Sequence, residues 1–349
     1  MQRQVLLNKV LTTTATLRWG GAALVVLLLS QTIEAFFLWQ LTASLITTLV
    51  SGRLLWRELG ASGAWSRVDP SLLYGIRKFA WGVGGASALG IVLTQLDKII
   101  LSKLLPLQQF AYYSIAAMLA AAVYMAVSPV ISAIFPRFAE LAANNNEAGI
   151  FQVFHKSSQL VALLAFPLAW TLGVFADDVI LLWTRNPDLA QQSGWLLQLI
   201  VAGTMLNALM HVPHALLLGR GFAHFWLYVN VISVALLAPM IIVLTEHFGA
   251  AGAPVAWIAL NAGYLLIAAP LMPIPKRELY RWYRDDVVIP MIASGVTILF
   301  VAWLRPASLH GLFEMAFWIA LSLVVGLVAV FTATWRKGGL VGPAAQSIK

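Results

Sequence analysis

The sequence of 349 residues is 60% hydrophobic and only 10% charged, whereas charged residues make up about 25% of an ordinary soluble domain. This composition excludes a soluble globular domain and predicts an all-α polytopic membrane protein. The formal net charge of +8 does not indicate nucleic-acid binding, because the basic residues are spread over short segments instead of forming an Arg-rich arm. The chain contains no cysteine, which excludes disulfides and thiol chemistry.

Apolar stretches long enough to cross about 30 Å of hydrocarbon recur along the chain. They predict about ten transmembrane helices, at residues 10–30, 33–53, 79–105, 110–135, 157–175, 195–218, 225–244, 253–271, 287–304 and 313–335. The segments around them predict a basic connector at 57–78 and a tail at 338–349. None of these segments is long enough for a soluble catalytic domain.

The basic residues predict the orientation of the chain. If the N-terminus is cytoplasmic, 17 of the 22 lysines and arginines lie on cytoplasmic segments and four on outer segments. Lysine and arginine accumulate on the cytoplasmic side of membrane proteins. The distribution therefore predicts that both termini are cytoplasmic.

The remaining basic residue, Arg18, lies inside the first predicted helix, because the apolar run that follows it is too short to cross the membrane alone. Two interpretations stay open. Arg18 either faces a cavity as a cation that binds a phosphate or carboxylate, or extends its long side chain to the inner headgroups.

The third predicted helix contains two charges, Asp97 and Lys98, within an otherwise apolar run. Ser87, Gly90 and Thr94 share an arc of about 100° with them on a helical wheel. An ionised side chain costs at least about 2.5 kcal/mol in the middle of the hydrocarbon. The polar arc is therefore predicted to face the bundle interior or a water-filled cavity, with Asp97 coupling transport to protons and Lys98 attracting an anionic substrate. The alternative places both charges at the outer interface, where they transport nothing.

The sixth predicted helix carries a second polar stripe. Gly203, Asn207, His211 and His214 fall within an arc of about 80°. Interhelical hydrogen bonding, substrate contact and pH sensing all fit this stripe, and its last three residues are candidates for substrate binding. A metal site is not predicted, because no carboxylate or third histidine stands beside the two histidines.

Five stretches resemble the polysaccharide and O-antigen flippase branch of the multidrug/oligosaccharidyl-lipid/polysaccharide exporter superfamily. They are QRQVLLN at 2–8, TIEAFFLWQ at 32–40, LDKIILSKLLPLQQFAYYS at 96–114, SPVISAIFPRFAEL at 128–141 and NALMHVPHALLLGRG at 207–221. Asp97 and Lys98 match the LDK motif of that family, and Arg137 matches its PR motif.

The resemblance implies two six-helix lobes around a central cavity in the bacterial cell inner membrane. It implies a flippase that moves undecaprenyl-diphosphate-linked oligosaccharide to the outer leaflet for O-antigen, lipopolysaccharide or other surface polysaccharide. Its partners would be the lipid-linked oligosaccharide, membrane lipids, and a polysaccharide polymerase and ligase, and no cofactor is implied.

The position of the LDK helix sets the implied domain organisation. In that family the LDK helix follows six others and opens the second lobe, whereas only two predicted helices precede it here. The resemblance therefore implies that 1–56 holds the last two helices of a first lobe that lacks four. Residues 79–271 would form the second lobe, and 272–337 two additional helices.

Two other functions remain as alternatives. A drug or cation exporter of the same superfamily would use acidic cavity residues, of which the sequence offers Asp97. A membrane-embedded enzyme of polysaccharide assembly would need an acidic active-site cluster, and the adjacent outer carboxylates are Asp177 and Asp178 alone. The sequence favours a transporter over an enzyme.

Overall fold

A computed structural model describes residues 4–30, 32–58, 70–306 and 311–335, and within these residues the regular secondary structure is helical. The α-helices are α1 (Gln4–Leu24), α2 (Ile33–Glu58), α3 (Pro70–Leu104), α4 (Leu107–Ala143), α5 (Glu147–Val174), α6 (Ala176–Thr184), α7 (Pro187–Gly219), α8 (Ala223–Phe248), α9 (Gly252–Gly263), α10 (Lys276–Arg281), α11 (Ile289–Leu304) and α12 (Leu312–Trp335). Three π-helical turns, Val25–Leu29, Tyr264–Ala268 and Trp282–Val288, extend α1 and α9 and join α10 to α11.

Helical structure covers each of the ten predicted stretches, but several helices extend beyond them. α2 continues to Glu58 and α3 begins at Pro70, so the predicted connector 57–78 is helical at both described ends, and its residues 59–69 lie outside the described residues. Hydropathy detects the part of a helix that is apolar, whereas the backbone hydrogen bonds continue into the polar interface. The predicted tail 338–349 also lies outside the described residues.

Seven stretches among the described residues are long and apolar enough to cross a membrane. One of them, 223–271, contains both α8 and α9, which are separated by a turn at Gly249, where φ is 59°. α1 and α3 are not among the seven, and the side chains of their residues 4–9 and 70–83 lie outside the described part of the chain. The protein is therefore a multi-pass α-helical membrane protein, and the count of ten crossings stays a prediction.

The chain divides into two compact units, Met1–Leu72 and Leu73–Lys349. In the first unit α1 packs against α2. The indole Nε1 of Trp39 donates a hydrogen bond of 3.1 Å to the carbonyl oxygen of Arg18. Gly21 faces the Trp39 ring so closely that a Cβ at this position would overlap it. A residue without a side chain is thus what lets the two helices approach.

In the second unit α7 packs against α4, α5, α6 and α9. Gly219 lies against the α4 backbone, where an added Cβ would stand 3.1 Å from the amide nitrogen of Ala139. Such small residues allow close helix contact where hydrocarbon supplies no hydrophobic drive for association. α11 and α12 pack against each other and against α5.

Asparagine side chains cap the N-termini of two of these central helices. The Oδ1 of Asn146 accepts a hydrogen bond of 2.8 Å from the Gly149 amide at the start of α5. Asn186 accepts one of 3.1 Å from the Leu189 amide at the start of α7. Both side chains satisfy amides that have no partner within the first helical turn.

Large apolar side chains cover the outside of the second unit. Leu266, Trp303 and Phe313 are 76%, 77% and 85% exposed. Exposure of this kind is expected where the surrounding solvent is lipid, since lipid tails are as apolar as these side chains.

Candidate functional site

A cavity of about 220 Å³ lies between α3, α7, α8 and α9 in the second unit. Its polar lining comes from α3 through Ser87 and Thr94, beside Gly90, from α7 through Asn207, His211 and His214, and from α8 through Asn230. Parts of the two stripes that were predicted separately from helical periodicity therefore face the same space. Among the described residues, the lining contains no aspartate, glutamate, lysine or arginine.

Aromatic rings form another part of the lining, supplied by Trp226 of α8, Trp257 of α9 and Tyr264 just after α9. The ring of Trp226 stands edge-on to those of His214, at 4.6 Å between centroids, and Tyr264, at 6.4 Å. The Tyr264 hydroxyl donates to the Oγ of Ser233, 2.8 Å away. These contacts hold the rings of Trp226 and Tyr264 beside each other in the cavity wall.

Gly203, the first residue of the predicted α7 stripe, does not line the cavity. It packs against Trp257, whose Cδ1 would lie 2.5 Å from a Cβ added at position 203. The glycine thus lets α7 and α9 approach and positions the Trp257 ring at the cavity.

Asn207 contributes to helix packing as well as to the cavity. Its Nδ2 donates a hydrogen bond of 2.7 Å to the Oδ1 of Asn261, which is completely buried in α9. Of the interpretations that the sequence left open, the geometry therefore favours interhelical hydrogen bonding for the Asn207 amide.

His211 differs from Asn207 in its contacts. Its ring packs edge-on against Tyr124 of α4, at 5.3 Å between centroids. Its Nε2 is enclosed and has no hydrogen-bond partner among the residues that the structure describes. An enclosed ring nitrogen without a partner is unfavourable.

Asp97 and Lys98 do not line the cavity. Asp97 accepts a hydrogen bond from the hydroxyl of Tyr113, a buried residue of α4, while its Oδ1 is enclosed without a partner among the described residues. Lys98 donates from Nζ to the Oε1 of Gln95, 3.2 Å away on the same helix. The partner of Asp97 thus lies on another helix, whereas the described partner of Lys98 lies on its own helix.

Arg18 belongs to the first unit, where its Nε donates to the Oε1 of Gln40 on α2 over 2.5 Å. Its guanidinium also lies over the ring of Trp19, 5.8 Å from the centroid. Both interpretations of this arginine therefore stay predictions.

Sequence reasoning missed Tyr113, Trp226 and Trp257 as parts of these sites. Each sits in an apolar helix where an aromatic residue is ordinary, so no local signal distinguishes it. In the described part of the chain, no three histidine, cysteine, aspartate or glutamate side chains are grouped to hold a metal ion.

Together, the helices and the cavity define a multi-pass α-helical membrane protein with a polar space among its helices, an arrangement typical of transporters. The family model described as polysaccharide biosynthesis protein matches residues 2–184, more than half of the chain. The chain belongs to this family, which confirms the resemblance to polysaccharide flippases and supports a role in polysaccharide biosynthesis. No curated protein matches the sequence. The family match includes Asp97 and Lys98 but ends before the α7 part of the cavity.

Proposed function

We propose that the protein is a flippase that moves undecaprenyl-diphosphate-linked oligosaccharide from the inner to the outer leaflet of a bacterial inner membrane. The cavity is the observation that carries this proposal. Sugar hydroxyls lose their hydrogen bonds with water when they enter hydrocarbon, at a cost of several kcal/mol per unsatisfied group. A polar cavity among membrane helices replaces part of those bonds.

The lining suits a saccharide in two ways. The rings of Trp226, Trp257 and Tyr264 offer apolar surface to the C–H faces of a sugar ring. The amide and imidazole groups of Asn207, His211 and His214 supply donors and acceptors for hydroxyls. Substrate contact is the role we assign to these three α7 residues.

The anionic carrier needs cationic groups on its path. In the second unit we assign to Lys98 the attraction of the anionic substrate, and in the first unit, as a separate proposal, we assign phosphate binding to Arg18. The Lys98 ammonium has three donors, of which one is directed at Gln95. The Arg18 side chain uses Nε toward Gln40, and its terminal N–H groups can bind a phosphate bidentately.

Coupling to a proton or cation gradient is assigned to Asp97. The carboxylate is half-buried, faces the Tyr113 hydroxyl and has one enclosed oxygen without a described partner. A charge held inside a membrane protein in this way is a candidate for ion coupling.

The test uses the full chain in proteoliposomes with an undecaprenyl-diphosphate-linked oligosaccharide that carries a fluorophore on its sugar. A quencher added outside the vesicles reports how much of the labelled sugar faces the outer side. We expect transfer between leaflets to be faster than in empty vesicles, and His211→Ala to slow it by about threefold to tenfold. The control is His247→Ala, at an exposed position of α8 outside the cavity. Arg18→Gln should raise the substrate concentration at half-maximal rate without changing insertion. Equal transfer with and without the protein would rule out the proposed function.

A further inference from the structure

An ionic cluster of two buried residues and the partly exposed Glu278 joins α5 to the C-terminal part of the chain, and none of its members lines the cavity. The Nδ1 of His155 on α5 lies 2.5 Å from the Oδ2 of Asp286, and its Nε2 lies 2.9 Å from the Oε2 of Glu278. Gln159, one turn after His155, donates from Nε2 to the other oxygen of Asp286 over 2.8 Å. His155 is 5% exposed and Asp286 is 1% exposed.

The geometry of the cluster requires an extra proton. An ionised carboxylate only accepts hydrogen bonds, and a neutral imidazole donates from one nitrogen alone. Both ring nitrogens of His155 face a carboxylate oxygen, so two protons must lie along these two contacts. The second proton belongs either to an imidazolium or to one of the two carboxyl groups, and the proton count is the same in each case.

The cluster anchors the beginning of the α11–α12 pair. Glu278 lies on α10, and Asp286 lies in the π-helical turn Trp282–Val288 that runs directly into α11. Trp282, in the same turn, is completely buried, with its ring 6.2 Å from that of Phe154 on α5. At this end, the chain that leads into the α11–α12 pair therefore meets α5 through an apolar contact, Phe154 with Trp282, and through the polar contacts of His155.

The other end of α11 is held by a different kind of contact. Arg305, which follows α11, donates two hydrogen bonds to the carboxylate of Asp178 on α6, one of them 3.0 Å long. An arginine stays protonated over the whole accessible pH range, so this contact does not respond to the arginine's own titration.

Further charged groups stand near the cluster. The guanidinium of Arg281 on α10 is close enough to act on His155 and Asp286 by charge, and a cation there opposes retention of the extra proton. Arg284 forms an ion pair of 3.0 Å with Asp285, so that pair balances its own charge.

We propose that His155, Glu278 and Asp286 form a proton-operated clamp that holds the beginning of the α11–α12 pair on α5. When the second proton leaves, a ring lone pair faces a carboxylate oxygen, and a buried polar contact without its hydrogen is unfavourable. The clamp is closed at low pH and opens as the pH rises. This inference does not depend on what the cavity carries.

The distance between α5 and α10 measures the state of the clamp. The chain has no cysteine, so spin labels can be attached at Gln152→Cys on α5 and Tyr280→Cys on α10, both at exposed positions. Pulsed electron paramagnetic resonance on the full chain in lipid nanodiscs would compare pH 6 with pH 10. We expect the share of molecules at the short distance to fall by at least about twofold at the higher pH.

Two variants test whether the pH response comes from the cluster. Glu278→Gln places an amide opposite His155, and its N–H can donate to the neutral ring while Nδ1–H donates to Asp286. The short distance should therefore persist at both pH values. His247→Gln, at an exposed histidine on α8, should respond as the unaltered chain does. An unaltered chain without a pH response, or a Glu278→Gln chain that keeps the full response, would overturn the proposal.

Discussion

Asn207 on α7 donates a hydrogen bond of 2.7 Å to Asn261 on α9, and Asn261 donates in turn to the carbonyl oxygen of Trp257, 2.8 Å away. This relay joins two helices through a pair of amides beside the cavity. It also fixes the turn of α9 that carries the Trp257 ring. The packing of α7 against α9 and the shape of the cavity are thus linked through one polar contact.

The first prediction tests this relay. Asn207→Ala leaves the Oδ1 of the buried Asn261 without its described donor, which should lower the free energy of unfolding by about 1–3 kcal/mol. Denaturant unfolding in mixed micelles measures this change in the free energy of unfolding. The control is Asn144→Ala at the exposed end of α4, which should change stability by less than about 0.5 kcal/mol. Equal losses in the two variants would contradict a special role for the relay.

The second prediction concerns access to the cavity. A Cβ added to Gly90 meets no atom within 4 Å, so Gly90→Leu should fill cavity space without straining α3. We expect transport to fall by at least about tenfold, with unfolding unchanged or slightly improved because glycine is a poor helix former. Gly84→Leu makes the same change at an open position of α3 outside the cavity lining and should transport normally. Normal transport by Gly90→Leu would show that substrate does not use this cavity.

The third prediction separates coupling from substrate binding on α3. Asp97→Asn should abolish the dependence of transport on an imposed pH gradient, because the amide cannot take up a proton. Lys98→Gln should raise the half-saturating substrate concentration and keep the gradient dependence. Tyr113→Phe, which removes the donor to Asp97, should slow transport and keep that dependence. If Asp97→Asn still transports with full dependence on the gradient, Asp97 is not the coupling residue.

The fourth prediction is a pH dependence of stability at α6. Burial raises the pKa of Asp177, and the neighbouring Asp178 carboxylate raises it further. The folded protein therefore holds this proton more tightly than the unfolded chain does, and the corresponding stability is lost as the pH rises through the folded pKa.

Asp177→Asn should accordingly raise the unfolding temperature at pH 7.5 relative to the unaltered protein. The gain should disappear near pH 3, where the carboxyl group is protonated in both states. Thermal unfolding of both proteins at the two pH values measures this difference in unfolding temperature. Asp188→Asn, at an exposed acid in the first turn of α7, should give no gain at pH 7.5, because Asp188 has no neighbouring carboxylate in the chain and its charge favours the helix N-terminus. A gain that is the same at both pH values would exclude titration of Asp177 as the cause.

The class of the protein and its helices could be predicted from the sequence. Hydrocarbon offers no partner to backbone amides and carbonyls, so a long apolar run has to pair them within itself as a helix. The same reasoning predicted the polar stripes, since a lipid-facing histidine or threonine is unfavourable. Thr94 and His211 were thus placed on interior faces by local periodicity alone, and both line the cavity.

The bounds of the helices were predicted less well from the sequence. α3 begins at Pro70, nine residues before its predicted start, because helical hydrogen bonding continues where hydropathy has already fallen. α6 was not predicted at all, since a helix of 9 residues is shorter than any membrane-spanning pattern.

Only the tertiary structure decided which polar groups meet. Asn207 and Asn261 are 54 residues apart, and His155 and Asp286 are 131 residues apart. Helical periodicity reports the face of one helix and carries no information about the helix opposite. The sequence by itself therefore determined that polar faces must be turned away from lipid. The packing of small residues such as Gly203 and Gly219, which sets how closely α7 approaches α9 and α4, decided which of those faces share a cavity and which form a contact.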